Sequence, residues 1–277
     1  MSYANLLVLL LSLFALPVMI TGKAMAYNED GRFHFETSFE VLERDIEQES
    51  TTFNGINFPG QTFSVESLRL LAKLSVQIVE PIEIYGLLGG SDLEIDETNT
   101  DFSSDFTGAY GGGARVVLYR DKNPRRLFQV FADYRFLTFK PNDTINFLPQ
   151  VVCDTSIPAS ICDVDGDGAV DVGEIVTLAD EIVRERIRWQ EHTVKIGVMG
   201  RDHEFEPYGG IRFSFVKGKD HIPASVEKVD LDLKQNDTFG IFLGTFYYLT
   251  PSDQAALFIE GSLFDQYSLT GGVRVGF

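Results

Sequence analysis

The chain has 277 residues, with 41 Asp and Glu against 23 Lys and Arg and a formal net charge of −18. So large a negative excess argues against nucleic acid as a partner and against general adhesion to an anionic lipid surface, and it points to bound cations. After the first 26 residues no apolar stretch approaches the ~20 residues of a spanning helix, so any membrane crossing falls to strands.

In chain order, residues 6–20 are predominantly apolar, with no Lys or Arg before them, and are followed by Ala24-Met25-Ala26. A run of this length before a small-residue site reads as a secretory signal over 1–26, cleaved before Tyr27; an uncleaved anchor is the alternative. The mature part, 27–277, repeats one unit: ten to sixteen residues of alternation, then a turn or loop. Strand 32–43 sets Phe33, Phe35, Thr37, Phe39 and Val41 against His34, Glu36, Ser38 and Glu40. Strand 67–79 sets Leu68, Leu70, Ala72, Leu74, Val76 and Ile78 against Arg69, Lys73, Ser75 and Gln77. Further strands are expected over 83–95, 107–119, 127–139, 188–199, 207–216, 238–249, 254–264 and 266–277, about ten in all. One apolar and one charged face suit a wall between hydrocarbon and a polar interior. The connections alternate, short after the even strands (80–82, 120–126, 200–206, 250–253) and mostly long after the odd ones (44–66, 96–106, 140–187, 217–237). That asymmetry predicts an all-β, transmembrane, antiparallel up-and-down barrel in the cell outer membrane, with both termini periplasmic and the long loops extracellular.

Ile84-Tyr85-Gly86-Leu87-Leu88-Gly89-Gly90, Tyr110-Gly111-Gly112-Gly113-Ala114-Arg115 and Tyr208-Gly209-Gly210-Ile211-Arg212 resemble the glycine-aromatic strands of small outer-membrane β-barrel proteins, the opacity-like and OmpA-like group. The ending, with Thr270, Gly272, Val275 and a terminal Phe277, is similar to the closing strand of that group. The resemblance implies that these four residues are the signal read by the barrel-assembly machinery, with outer-membrane lipid as surroundings. The pleat sends Glu36, Glu40, Arg69, Lys73, Arg115, Asp133, Arg135, Glu191, Lys195, Arg212, Glu260 and Arg274 inward. Charges of both signs in a narrow lumen read as a plug of salt bridges, narrowed further by Phe131, Phe242, Phe246 and Phe258 on the same parity.

The fifth connection carries the sharpest motif. Residues 163–174 fit the twelve-residue EF-hand calcium loop. Asp163, Asp165 and Asp167 are its first carboxylates, Gly168 makes the sharp turn, Ala169 offers a carbonyl, Asp171 acts directly or through water, and Glu174 closes with two oxygens. Ile175, Leu178 and Ile182 would form one face of a following helix, so a short helical EF-hand-like insert is expected within 140–187. The site stands alone, and Pro158 interrupts the incoming segment. In an exported chain Cys153 and Cys162 can form a disulfide that braces that segment.

These features predict a non-enzymatic barrel displaying a calcium-stiffened external loop, with Ca2+ as its cofactor and an external partner of unknown identity. A narrow channel is the alternative. An omptin-like hydrolase is a third class, for which His192, His221, Asp101, Asp105 and Asp220 are the rim candidates; no motif joins them.

Overall fold

The computed structural model describes residues 33–53, 56–58, 60–96, 102–121, 128–147, 150–152, 175–177, 181–223, 228–250 and 254–277. Ten long strands form one antiparallel wall: β1 (Phe33–Gln48), β2 (Gln61–Val79), β3 (Ile82–Ser91), β4 (Thr107–Arg120), β5 (Gln129–Phe139), β6 (Glu181–Met199), β7 (Phe205–Pro223), β8 (Phe239–Tyr248), β9 (Ala255–Leu263) and β10 (Tyr267–Gly276). Each pairs with its sequence neighbours, and β1 pairs with both β2 (Val41↔Leu68) and β10 (Val41↔Leu269), so the sheet closes on itself. Closure leaves no edge for another chain to extend. The expected ten-stranded up-and-down barrel is the observed architecture.

The period-2 pattern sets the wall. On β1 the outward Phe33 and Val41 are exposed, while the inward Glu40, Leu42, Arg44 and Ile46 are buried. Exposed apolar side chains recur all round the outside, among them Leu74, Ile84, Leu88, Ile196, Ile211, Leu243 and Ile259. In water such a belt would drive aggregation; facing lipid it is the spanning surface. Its upper limit is sharp and agrees between neighbouring strands. Val41 and Leu68 are followed, toward the long-loop end, by the paired Glu43 and Glu66, and His192 and Phe215 by the paired Gln190 and Lys217.

Above that limit the strands do not stop. β1 and β2 run five and six residues farther than the sequence pattern predicts, β6 begins at Glu181 and β7 continues to Pro223. There the pattern inverts, with charges outside and Ile46, Phe63, Val65, Ile187, Trp189 and Val216 buried inside. β3, by contrast, ends at Ser91 rather than 95, and the chain resumes as Glu94–Asp96 against β2. The strand Lys228–Gln235 continues the eighth strand upward against β7 and also pairs directly with β1 (Ile46↔Gln235). β9 and β10 therefore drop out of the ring at this height, and a smaller ring leaves an interior that side chains can fill.

The long fifth connection departs from expectation in its described parts. Ile175–Thr177 is a strand paired with Gln150–Val152, and Ile182 belongs to β6, paired with Asn146, so the expected helix through Ile175 and Ile182 is not formed. The β-branched run Ile175-Val176-Thr177, followed by Ile182-Val183, favours strands, and ladder partners at 150–152 and 142–147 complete them. Among the described residues there is no helix. The calcium-loop residues Asp163, Asp165, Asp167, Ala169, Asp171 and Glu174, the cysteines Cys153 and Cys162, and the 1–26 segment lie outside the described residues.

Candidate functional site

Within the lumen the wall brings charged side chains from several strands together in layers. At mid-height five charged residues from four strands meet. Glu191 on β6 accepts from Arg69 Nη2 at 2.9 Å and Arg135 Nη2 at 3.0 Å, and pairs with Arg44 Nη2 at 3.2 Å. Glu40 pairs with Arg69 Nη1 at 3.4 Å and Arg135 Nη1 at 3.6 Å. Arg44, Arg69 and Glu191 have no exposed side-chain surface at all. Two carboxylates shared among three guanidiniums offset the cost of burying each charge, which would otherwise be several kcal/mol.

A second buried pair caps this layer. Arg212 Nε lies 2.8 Å from Asp265 Oδ2, which also accepts from Ser214 Oγ at 2.5 Å. Asp265 and Gln266 belong to the tight turn between β9 and β10. Phe264, at φ 82°, takes the left-handed backbone there; its own ring stays exposed while Asp265 and Gln266 are buried. Gln266 Oε1 accepts from Arg44, and Gln235 Nε2 donates to the Asp265 carbonyl at 2.8 Å. Above lies the apolar core, with Trp189 and Phe139 in contact at 6.0 Å between ring centroids. Charge layer and core together close the lumen toward the long-loop end.

Below the charged layer the lumen opens. A cavity of about 130 Å3 touches Lys73, Tyr85, Asp133, Arg135, Lys195 and Glu260. A second, of about 280 Å3, reaches the short-turn rim between Glu80, Arg120, Glu206 and Arg274. Here cations rest on rings: Lys73 Nζ is 4.4 Å from the Tyr85 centroid, Arg115 4.1 Å from Phe131 and Lys195 4.9 Å from Phe242. Ion pairs are looser, with Lys73 3.9 Å from both Glu36 and Glu83 and Arg274 3.7 Å from Glu83, though Lys195 and Glu260 are in direct contact. The rings lie against glycines. A Cβ at Gly197 would sit 2.8 Å from Phe242 Cζ and 2.9 Å from Phe131 Cζ, so only glycine leaves that space.

Three residues of the ending lie on β10, the seam strand, and Phe277 directly follows it. Phe277 stacks on Phe33 with centroids 6.2 Å apart and donates its N–H to the Phe33 carbonyl at 2.9 Å. Gly272 is wedged under Phe258, 2.5 Å from a built Cβ to the ring, while Thr270 borders the smaller cavity beneath the charged layer and Val275 pairs with Phe35. These positions thus have structural roles in closing the barrel.

Of the rim residues, His192 sits on the outer face at the upper edge of the apolar belt, with Nδ1 2.8 Å from Tyr134 Oη and its ring 5.0 Å from Phe136. Asp220 is inward and buried on β7. The structure does not join the two; Asp105 is exposed in the β3–β4 connection. Among the described residues no group of three His, Cys, Asp or Glu converges as a metal site would. Reading the sequence for parity found every charged member of the plug except Arg44 and Asp265, which lay in stretches read as a loop and a turn.

No protein-family model matches the chain, and no curated protein matches it. Among solved structures it is similar to the outer-membrane protease OmpT from Escherichia coli, with 11% identity, 92% of this chain and 99% of that chain covered, and a TM-score of 0.50. It is also similar to the translocator domain of the autotransporter NalP from Neisseria meningitidis, with 10% identity, 95% and 94% covered and a TM-score of 0.46. At these identities the likeness is one of fold: the chain has the fold of an outer-membrane β-barrel.

Proposed function

We propose that this chain is a non-enzymatic outer-membrane barrel, of the opacity-like and OmpA-like kind, whose closed lumen serves as a rigid stalk for external loops. The observation that carries the reading is the fully buried Arg44–Arg69–Glu191 layer beneath a packed apolar core. A lumen built to pass solutes would keep its charges hydrated, whereas here the mid-height charges are spent on one another. In this orientation the short turns and both termini are periplasmic. The displayed element is the 140–187 connection, with a calcium loop at 163–174 stiffened when Ca2+ neutralises its crowded carboxylates. The ribbon Gln150–Val152 with Ile175–Thr177 supports this reading, because Val152↔Ile175 brings the two ends of segment 153–174 onto neighbouring strands. Asp163, Asp165, Asp167, Ala169, Asp171 and Glu174 would supply the oxygens, and Cys153–Cys162 would brace the incoming limb.

Calcium titration of the folded barrel in detergent, by calorimetry with limited proteolysis, tests this. The expected result is one saturable site with Kd about 10⁻⁴ to 10⁻³ M that protects the loop, abolished by Asp163→Asn with Glu174→Gln. Equal protection with and without calcium overturns the calcium reading. Discrete conductance steps from the wild-type barrel in planar bilayers would favour the channel alternative instead.

A further inference from the structure

The outer wall just above the apolar belt is divided by charge. On β1, β2 and the Glu94–Asp96 strand it carries Glu43, Asp45, Glu47, Glu66 and Glu94, with Glu43, Glu66 and Glu94 in one cross-strand row. On β6, β7 and the Lys228–Gln235 strand cations predominate instead, with Asp232 among them. Lys217 stands directly opposite Lys234, and Arg188 directly opposite Lys219. Like charges at directly opposed sheet positions repel and destabilise the pairing unless an anion lies between them. Two such pairs sit side by side in a chain whose net charge is −18. Lys219 has Asp232 at 3.6 Å, and Lys234 has Glu49 at 3.1 Å and Glu47 directly opposite on β1, where the acidic side meets the basic one, but among the described residues Arg188 and Lys217 have no carboxylate partner. Together these residues line an outward groove of about 390 Å3.

The height of the groove identifies its occupant. Lys217 follows Phe215, the last apolar outward residue of β7, by two residues, about 7 Å along a strand at 3.2–3.4 Å per residue. That is where the headgroups begin above the hydrocarbon. From this we infer that Arg188, Lys217, Lys219 and Lys234 form a binding site for the phosphate of an outer-leaflet lipid headgroup, held against one side of the barrel. Arg188 presents the planar fork that matches a phosphate, and the lysines add point charge. The acidic side of the rim repels the same headgroup, so the site fixes which face of the barrel the lipid occupies. The inference rests on the proposed orientation, with the long-loop end at the outer leaflet.

The test incubates the folded barrel in zwitterionic detergent with a bisphosphorylated glycolipid and counts retained lipid by native mass spectrometry. The expected result is one retained lipid, weakened about tenfold or more by Arg188→Gln with Lys217→Gln, in line with the contribution of two cations at a charged surface. Glu43→Gln, on the acidic side, leaves retention unchanged. The same glycolipid stripped of its phosphates binds wild type as weakly as the double variant binds the intact lipid, and inorganic pyrophosphate at equal concentration does not displace it. Equal retention by wild type and double variant, or of stripped and intact lipid, overturns the site; displacement by pyrophosphate overturns the lipid as its occupant. Heat-shifted mobility on gels verifies that each variant is folded. Orientation is read separately, by labelling Lys219→Cys on intact cells with an impermeant maleimide. Absence of labelling overturns the orientation, whereas the detergent measurement does not depend on it.

Discussion

Two layers of the same lumen, a few residues apart along each strand, treat charge in different ways. In the upper layer Glu191 is wholly enclosed and takes three guanidiniums, and of that layer only Arg135 borders the cavity below. In the lower layer Lys73, Arg115 and Lys195 lean on aromatic rings beside cavities that extend to the rim. The upper layer holds the wall together only while every partner is present, because a lone buried charge has no water to fall back on. The lower layer tolerates loss, since each cation keeps a ring and some solvent when its carboxylate is removed.

Single substitutions separate the layers. Glu191→Ala leaves Arg44, Arg69 and Arg135 with one carboxylate, Glu40, within reach of two of them, and should cost about 3–5 kcal/mol. Glu260→Ala, which strips Lys195 of its partner below, should cost only about 1–2 kcal/mol. Urea unfolding followed by fluorescence of Trp189, the single tryptophan, reads both. Equal costs would mean that the layers do not differ in hydration.

Paired removal tests the same contrast through conductance. Arg69→Ser with Glu191→Ser deletes one charge of each sign, thins the plug without changing its net charge, and should allow intermittent single-channel steps in planar bilayers. Lys195→Ser with Glu260→Ser widens only the lower cavity, beneath an intact plug, and should remain silent. Steps from the lower pair alone would place the barrier in the wrong layer.

A third substitution asks how tightly the lower layer is packed. Gly197→Val puts methyl groups where Phe131 Cζ, Phe242 Cζ and the Gly209 carbonyl oxygen already lie within 2.9 Å of the Cβ position, so both rings must rotate into the cavity and the β6–β7 backbone must give slightly. The expected loss is about 1–3 kcal/mol, as for other overpacked interiors. The cavity keeps it below the cost of Glu191→Ala.

The same contrast explains what could be read from the sequence. Within the belt the phase of alternation is unambiguous: Phe33 to Val41 outward, His34 to Glu40 inward, and Val273 and Val275 matched to Thr37 and Phe35 at the seam. Strand number, closure and the inward charges follow from that phase. Above Val41 the polarity inverts, so Asp45 and Glu47 read as a loop although Leu42, Arg44 and Ile46 continue the inward face. Charges outside and apolar groups inside are the ordinary pattern of a strand in water, and both patterns share the same period. Asp265 was hidden differently. Nothing local marks a turn aspartate as the partner of Arg212, because that contact spans strands and depends on the backbone at Phe264. After the proposed calcium loop, Ile175, Leu178 and Ile182 fit helical spacing, but the β-branched residues and ladder partners from 142–152 favour strands, and strands form there.

The smallest effect concerns the hinge between the layers and the cap. Phe264 holds φ 82°, a conformation that costs a residue with a Cβ about 1–2 kcal/mol, and it does so where the turn sends Asp265 to Arg212 and Gln266 to Arg44. Phe264→Gly removes that strain but adds the backbone entropy that glycine loses on folding, about 0.5–1 kcal/mol. The net change should therefore be a gain of about 1 kcal/mol or less, reduced by whatever the exposed ring contributes at the membrane surface. Phe264→Ala keeps the strain and deletes the ring, so it isolates that contribution. If glycine stabilises and alanine destabilises, the ring anchors the turn against lipid while the backbone is held left-handed by the plug beneath it. If both destabilise equally, the ring accounts for the whole effect, and the plug imposes no strain on the turn that closes it.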